Sequence, residues 1–289
     1  MESSLFRPSG NTLREIARLT WKEIRADDVF GRAAQLAYYF FLALFPFLIC
    51  VIASLSVFGT ADRGRVLLMG LFARVLPKPA FQLIGTTVGE IIQQSGPLKM
   101  SFGIIASLWS ASLGMSAVMD SLNAAYKVAE TRSLFKQYAV ALGLTLGIAI
   151  LLIISILAIV FANETVGTLS SRNISVVAWR ITQWPLGLAL LLLAFAITYY
   201  FAPALKRKKW HWITPGAITG VLLLIVVSIG LRIYYHFSGT YSAAYGSLSA
   251  VIVLLLCFYM SGVAVLSGGV LNAVLERLTS SAVPRERLY

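Results

Sequence analysis

The residues able to do chemistry in this chain of 289 residues are few, and most lie at the ends of apolar runs. A charged or amide side chain at membrane depth is costly unless it has a partner or faces water. By that standard the candidates are Asp120 and Asn123, Arg180, Arg232, and Asn272 with Glu276. Arg232 is followed by Tyr234, Tyr235, His236, Tyr241 and Tyr245, a group able to bind an anionic head group or to line a polar cavity. His211 and His236 fall at opposite ends of the expected helices, so they cannot share a metal, and no His, Cys, Asp or Glu cluster has ligand spacing. GxSxG, Walker A and HExxH sequences are absent. A hydrolase needs a base, a nucleophile or metal, and a water route, so no catalytic residue, metal or cofactor is expected and the chain reads as a non-enzyme. Cys50 and Cys257 sit inside apolar runs, where a small apolar side chain is the ordinary reading.

The elements that must position these groups follow from composition. Hydrophobic residues make up 58% of the chain and charged residues 12%, about half of what a soluble domain uses to cover its surface. Mean hydropathy is +0.80. A bilayer core of about 30 Å needs roughly 20 apolar residues as helix. Six stretches reach about that length, near 33–58, 101–119, 137–162, 180–202, 214–236 and 247–272. The fold expected is therefore all-α: a polytopic integral membrane protein with six transmembrane helices.

Net charge is +12, and its placement gives the topology. Residues 7–32, 127–136, 206–209 and 277–287 hold 16 Lys and Arg, whereas the alternate connections hold 6. The positive-inside rule puts both termini in the cytoplasm. A nucleic-acid protein would gather its basic residues on one face or domain, so no nucleic-acid partner is expected. Arg180 and Arg232 are the two positive charges that this count leaves over.

Residues 1–32 form a cytoplasmic segment in which Leu13, Ile16, Ala17, Trp21 and Ile24 fall on one helical face and Arg14, Arg18, Lys22 and Arg25 on another. The pattern predicts an amphipathic helix on the inner leaflet, binding anionic lipid, or one packed on cytoplasmic loops. Residues 33–276 form the membrane domain, and 277–289 a cytoplasmic tail. The long first outer loop, 59–100, has helical periodicity over 66–76 and 81–93, interrupted by Pro77 and Pro79. It predicts short amphipathic helices over the outer mouth or a re-entrant pair.

Inside the spans, Pro46 and Pro185 each remove a backbone donor and can kink a helix. Gly143/Gly147, Gly216/Gly220 and Ser110/Gly114 put small residues on one helix face, where backbones approach closely. Gly268-Gly269, with Gly262, predicts another close crossing or a soft point. Thr214-Pro215 reads as an N-cap followed by proline at the first helical position.

Ala33-Ala34-Gln35-Leu36-Ala37-Tyr38-Tyr39 with Leu44-Phe45-Pro46, and Leu108-Trp109-Ser110-Ala111-Ser112 with Asp120-Ser121-Leu122-Asn123-Ala124-Ala125-Tyr126, carry a resemblance. Pro215-Gly216-Ala217 and Tyr241-Ser242-Ala243-Ala244-Tyr245-Gly246-Ser247-Leu248 extend it. Over about residues 25–276 the chain resembles the YihY/BrkB family of bacterial inner-membrane proteins, formerly labelled ribonuclease BN. The resemblance implies a six-helix membrane protein, with some members labelled ribonuclease and others linked to virulence, serum resistance or the export of envelope lipid or lipopolysaccharide; the residues here give the ribonuclease label no support. Cys257 and Val270 depart from it, since members often carry Trp and an acid there. No proton-carrying role is therefore transferred to Val270.

The leading expectation is an inner-membrane transporter or flippase-like protein for an amphipathic or anionic, lipid-like substrate. Arg232, Tyr234, Tyr235, Tyr241, Tyr245 and Arg180 would serve it at the outer side and Asp120 with Asn123 at the inner mouth, while Pro46, Pro185, Gly268 and Gly269 supply hinges or kinks. The alternative is a non-transporting membrane scaffold that binds protein partners or anionic lipid. Assembly into a homo-oligomer is compatible with either.

Overall fold

The computed structural model describes residues 13–57, 66, 69, 70, 73, 78–94, 97–167, 174–205, 214–237 and 248–281. Among these residues every regular element is helical. A short helix, α1 (Leu13–Ala26), turns into α2 (Val29–Val57) through a two-residue elbow. Asp28 stands there with φ +49° and accepts a 3.3 Å hydrogen bond from the Gly31 amide, so it caps α2. A side chain at residue 31 would press on the Asp28 carboxylate, which would have to turn away from its capping position.

Next come α3 (Lys78–Gln94), α4 (Pro97–Ala125), α5 (Leu134–Gly167), α6 (Ile174–Phe201), α7 (Pro215–Phe237) and α8 (Leu248–Ser281). Each of the six long helices runs past its apolar stretch at one end at least, because polar flanking residues continue the same hydrogen-bonding pattern. At about 1.5 Å per residue the 29 residues of α4 extend roughly 43 Å, more than a hydrocarbon core. Three described helical segments, Leu134–Leu152, Pro215–Tyr234 and Leu248–Thr279, are long and apolar enough to cross a membrane, and Val29–Leu44 and Pro185–Phe201 are shorter apolar segments. Thr214 caps α7 as expected: its Oγ1 accepts the Ala217 amide at 3.1 Å, with Pro215 at the first helical position.

The central element is α8, which touches α1, α2, α3, α4 and α7. Its apolar residues fall on all sides, and among its described side chains only Leu248 is exposed, as befits a helix enclosed by neighbours. Its two most extensive partners are α7 and α2, and α2 in turn packs broadly on α4. Small residues allow the closest approaches. A Cβ on Gly262 would meet the Ala33 carbonyl at 3.2 Å, and one on Gly216 would run into the carbonyl of Gly268.

Two apolar clusters result. The larger takes Leu36 and Val29 from α2, Met119 and Leu122 from α4, Tyr199 from α6 and Val270 from α8. A smaller one sets Ala80, Ile84 and Val88 of α3 against Leu48 of α2 and Val253, Leu254 and Cys257 of α8. The expected helix at 81–93 is thus present as α3, packed on the α2–α8 pair, while most of 66–76 lies outside the described residues.

The N-terminal helix differs from expectation in its phase. Ile16 and Ile24 are buried, but they share the inward face with Leu19, Thr20, Glu23 and Asp27. Leu13 and Trp21 stay exposed. Periodicity marks which residues are apolar, whereas the partner decides which way the helix turns. Here ion pairs drawn by Glu23 and Asp27 rotate it.

Candidate functional site at the polar end of the bundle

Polar side chains gather at one end of the bundle. The start of α2, the end of α4, the start of α5, the end of α6, the start of α7 and the end of α8 are all drawn there by named bonds, so the six long helices alternate in direction. The first group of bonds starts with a turn. Residues 123–128 form a Schellman motif: the Lys127 amide bonds to the Ala124 carbonyl and the Val128 amide to the Asn123 carbonyl, both at 3.0 Å, with Lys127 at φ +55°. A left-handed conformation is unfavourable for a residue with a side chain. It persists because the Lys127 ammonium pairs with Asp27 and, at 3.0 Å, with Glu23. Arg277 near the end of α8 reaches Glu23 at 3.2 Å, and the Arg32 Nε donates to the Asp27 carbonyl at 2.9 Å. These four contacts join α1, α2, α4 and α8 into one seam.

A second group fastens the α4–α5 connection to the end of α6. Asn123 is 4% exposed. Its Nδ2 donates to Glu130 at 2.8 Å and its Oδ1 accepts the Ala204 amide at 2.7 Å. Arg132 donates to the carbonyls of Phe201, Ala202 and Pro203 at 3.3, 3.1 and 2.7 Å, placing a cation at the negative end of α6. Asn272 closes a third junction: its Oδ1 accepts the Gly216 amide at 2.8 Å while its Nδ2 donates to Thr214 Oγ1 at 2.9 Å. The Tyr199 hydroxyl donates to the Val265 carbonyl at 2.6 Å beside the Gly216–Gly268 crossing.

The electrostatics give this end a working pH range. Burial opposes ionisation of Glu23, but the Lys127 hydrogen bond and the charges of Arg277 and Lys127 outweigh it and hold the carboxyl below its ordinary 4.5. The hydrogen bond to Asp27, helped by Glu23 and opposed by partial burial, raises Lys127 above 10.5. The depressed Glu23 contributes stability above pH 4.5 that is lost as pH falls through its lowered value. The raised Lys127 contributes below pH 10.5, and that is lost as pH rises through its raised value. The melting temperature in detergent should therefore be level between pH 5 and 10 and fall below about 4.5. Glu23→Gln should flatten the acid limb. Lys127→Gly, which keeps the left-handed turn but loses the charge, should flatten both limbs; unchanged limbs in these variants would contradict the assignment.

The structure brings Asp120 and Asn123 to this end, with Asp120 accepting the Gln137 amide at 3.0 Å. Gly268 and Gly269 lie in an unbroken α8, where side chains would strike Gly216 and Leu122 respectively, so they make a close crossing. Pro185 lies inside α6, which continues through it. Arg232 and Tyr234 are exposed on α7, and the 16 residues from Gly216 place Arg232 roughly 24 Å along the helix from the seam. The structure does not bring Arg232 together with Asp120 and Asn123. The side chains of Pro46, Arg180 and Tyr235, and all of Tyr241 and Tyr245, lie outside the described residues. Sequence reasoning passed over Glu23, Asp27, Lys127, Arg132 and Tyr199, whose partners are far off in the chain. The available signal was acidic residues interrupting the apolar face of α1. Among the described residues, no three His, Cys, Asp or Glu side chains assemble as a metal site.

The family model described as Virulence factor BrkB matches residues 20–287. The ribonuclease-like protein YfkH of Bacillus subtilis (strain 168) is 34% identical over 264 residues, which covers 90% of this chain and 94% of that protein. The UPF0761 membrane protein Smlt0865 of Stenotrophomonas maltophilia (strain K279a) is 29% identical over 262 residues, 89% of this chain and 59% of that one. The UPF0761 membrane protein XOO3417 of Xanthomonas oryzae pv. oryzae (strain MAFF 311018) is 28% identical over 257 residues, covering 87% and 58%. This chain thus spans less than two thirds of the UPF0761 proteins and nearly all of YfkH. No solved structure matches it.

Proposed function

The chain belongs to the BrkB/UPF0761 family of membrane proteins, and on that premise we propose that it is a transporter or flippase-like protein for an amphipathic, anionic, lipid-like substrate. In this reading six helices cross the bacterial inner membrane, both termini are cytoplasmic, and the polar end faces the cytoplasm. The clustering of Lys127, Arg132 and Arg277 at one end supports that orientation.

The observation that carries the reading is the contrast between the two ends. At the polar end, close crossings and ion pairs shut the bundle with contacts that can part without unmaking a helix. Away from it, Leu222, Ile225, Val226, Ile229 and Ile233 leave one face of α7 exposed and apolar, with Arg232 beside it. Such a stripe suits acyl chains, and the guanidinium suits an anionic head group at the same level. Alternating exposure would then require the seam of Glu23, Asp27, Lys127 and Arg277 to open.

The test uses vesicles of phosphatidylethanolamine and phosphatidylglycerol carrying a head-group-labelled phosphatidylglycerol, with a membrane-impermeant quencher. Wild-type protein should move label between leaflets faster than protein-free vesicles do. Arg232→Ala should slow that movement about tenfold, the value of one lost anionic contact of about 1.4 kcal/mol. Equal rates for wild type, variant and empty vesicles with this and other envelope lipids would sink the reading.

A second reading, the non-transporting scaffold, draws on the exposed face of α1. A stoichiometric partner that copurifies with the full chain and is lost without residues 1–32 would favour it. We read no enzyme here; nuclease activity retained through detergent purification and abolished by one substitution would overturn that.

A further inference from the structure

Three arcs divide α1. The inward arc carries Ile16, Leu19, Glu23 and Ile24, fastened to the bundle by the ion pairs already described. The adjoining arc is apolar and uncovered: Leu13 is 85% exposed and Trp21 49%, and the Trp21 ring meets exposed Phe30 edge to face at 6.3 Å. The third arc carries Arg14, Arg18, Lys22 and Arg25, all exposed. The Arg25 guanidinium lies 5.0 Å from the centre of the Trp21 ring. Among the described residues Arg14, Arg18 and Lys22 make no ion pair, and Glu15 is the acid nearest to them along the exposed part of the helix.

A second outcrop marks the same end of the molecule. The first turns of α5 expose Leu134, Phe135 and Tyr138 beside Lys136, and Gln137 of this segment bonds to Asp120 at the end of α4. Aromatic and aliphatic side chains next to Lys and Arg, on two separate elements at one level of a membrane bundle, are the composition of a bilayer interface.

We propose that α1 is a fixed docking surface for anionic lipid. Leu13, Trp21 and Phe30 enter the boundary between head groups and acyl chains, and the four basic side chains hold the phosphates of phosphatidylglycerol-type lipids. Charge complementarity selects this occupant, and continuity with the α5 outcrop places it at the bilayer surface. Because α1 also carries Glu23 and leads directly into Asp27, bound lipid and the ion-pair seam share one helix. The proposal stands whether or not the protein moves lipid, since it concerns binding alone.

The test is quenching of Trp21 in the full chain reconstituted into nanodiscs. Subtracting the emission of Trp21→Phe isolates its signal. Brominated phosphatidylglycerol should quench that signal about twofold more than brominated phosphatidylcholine at equal mole fraction. The preference should vanish in the Arg14→Gln, Arg18→Gln, Lys22→Gln, Arg25→Gln variant and shrink in high salt, with quenching by phosphatidylcholine retained. Retained bulk Trp emission and monodispersity identify variants that fold. Equal quenching of wild type by the two lipids would overturn the choice of anionic lipid. No quenching by either would overturn docking on the bilayer and point instead to a protein or an aqueous surrounding.

Discussion

Replacing Gly216 or Gly268 with alanine is expected to abolish folded protein or lower its melting temperature more than any other single methyl addition in the bundle. A Cβ on Gly216 would meet the Gly268 carbonyl, and Asn272 Cγ at 2.5 Å. One on Gly268 would meet the Gly216 carbonyl, and Tyr199 Oη at 2.5 Å. Both directions end on backbone, so no rotamer change relieves the clash, and α7 must move off α8. Overpacking of this kind costs about 1–3 kcal/mol where side chains can yield, and more is expected here. The displacement would also strain the Gly216–Asn272 and Tyr199–Val265 hydrogen bonds. Gly143→Ala and Gly147→Ala are the controls, because a Cβ at either meets nothing within 4 Å. They should leave stability unchanged or raise it by about 0.5–1 kcal/mol through helix propensity. Size-exclusion profiles after graded heating of detergent-solubilised protein would separate the two pairs; equal loss in all four variants would show that the α7–α8 crossing is not the close one.

Arg132→Ala is expected to be the most damaging removal of a charge. The side chain is 10% exposed, and its fork serves three carbonyls at the end of α6 while its backbone amide donates to Glu130 at 2.9 Å. Those carbonyls include acceptors that no further turn of helix satisfies. Ala202 is fully buried, so water does not easily replace the guanidinium. Charged hydrogen bonds are worth about 1.5–3 kcal/mol each, and three carbonyls lose theirs together. We expect a loss at the upper end of that range. Arg132→Lys should recover only part of it, because an ammonium cannot present a planar fork to three acceptors. Amide exchange over 198–205, read by mass spectrometry, should accelerate in both variants before other segments change. Recovery to wild-type stability in Arg132→Lys would show that charge alone matters.

The helices were largely legible from the chain, and the junctions were not. Long apolar runs bounded by polar residues locate α2 and α4 to α8, and Thr214-Pro215 marks the start of α7 because a cap needs only neighbours within one turn. Spacing of small residues was a weaker guide. Gly143/Gly147 and Gly216/Gly220 have the same four-residue interval, yet only the second pair meets neighbouring side chains or backbone. The interval defines a face of one helix and carries nothing about what lies opposite. Asn123 and Asn272 stood out as costly polar groups, but their partners lie 81 and 56 residues away. The Glu23–Arg277 bond joins residues 254 apart. Such pairings depend on how helices stack, and the phase of α1 depends on them in turn.

The central claim is that the polar end is a gate in a protein that moves an amphipathic anion. Its most direct measurement is flux through a bundle whose seam is held shut. Glu23→Cys and Lys127→Cys, in a background with Cys50→Ser and Cys257→Ser, replace a contact of 3.0 Å with a pair that a reducible bifunctional thiol reagent can join. In vesicles carrying head-group-labelled phosphatidylglycerol, the cross-linked protein should show the leaflet exchange of empty vesicles, and reduction should restore it. Exchange that proceeds at the same rate before and after reduction, with cross-linking complete by mass, would contradict the account.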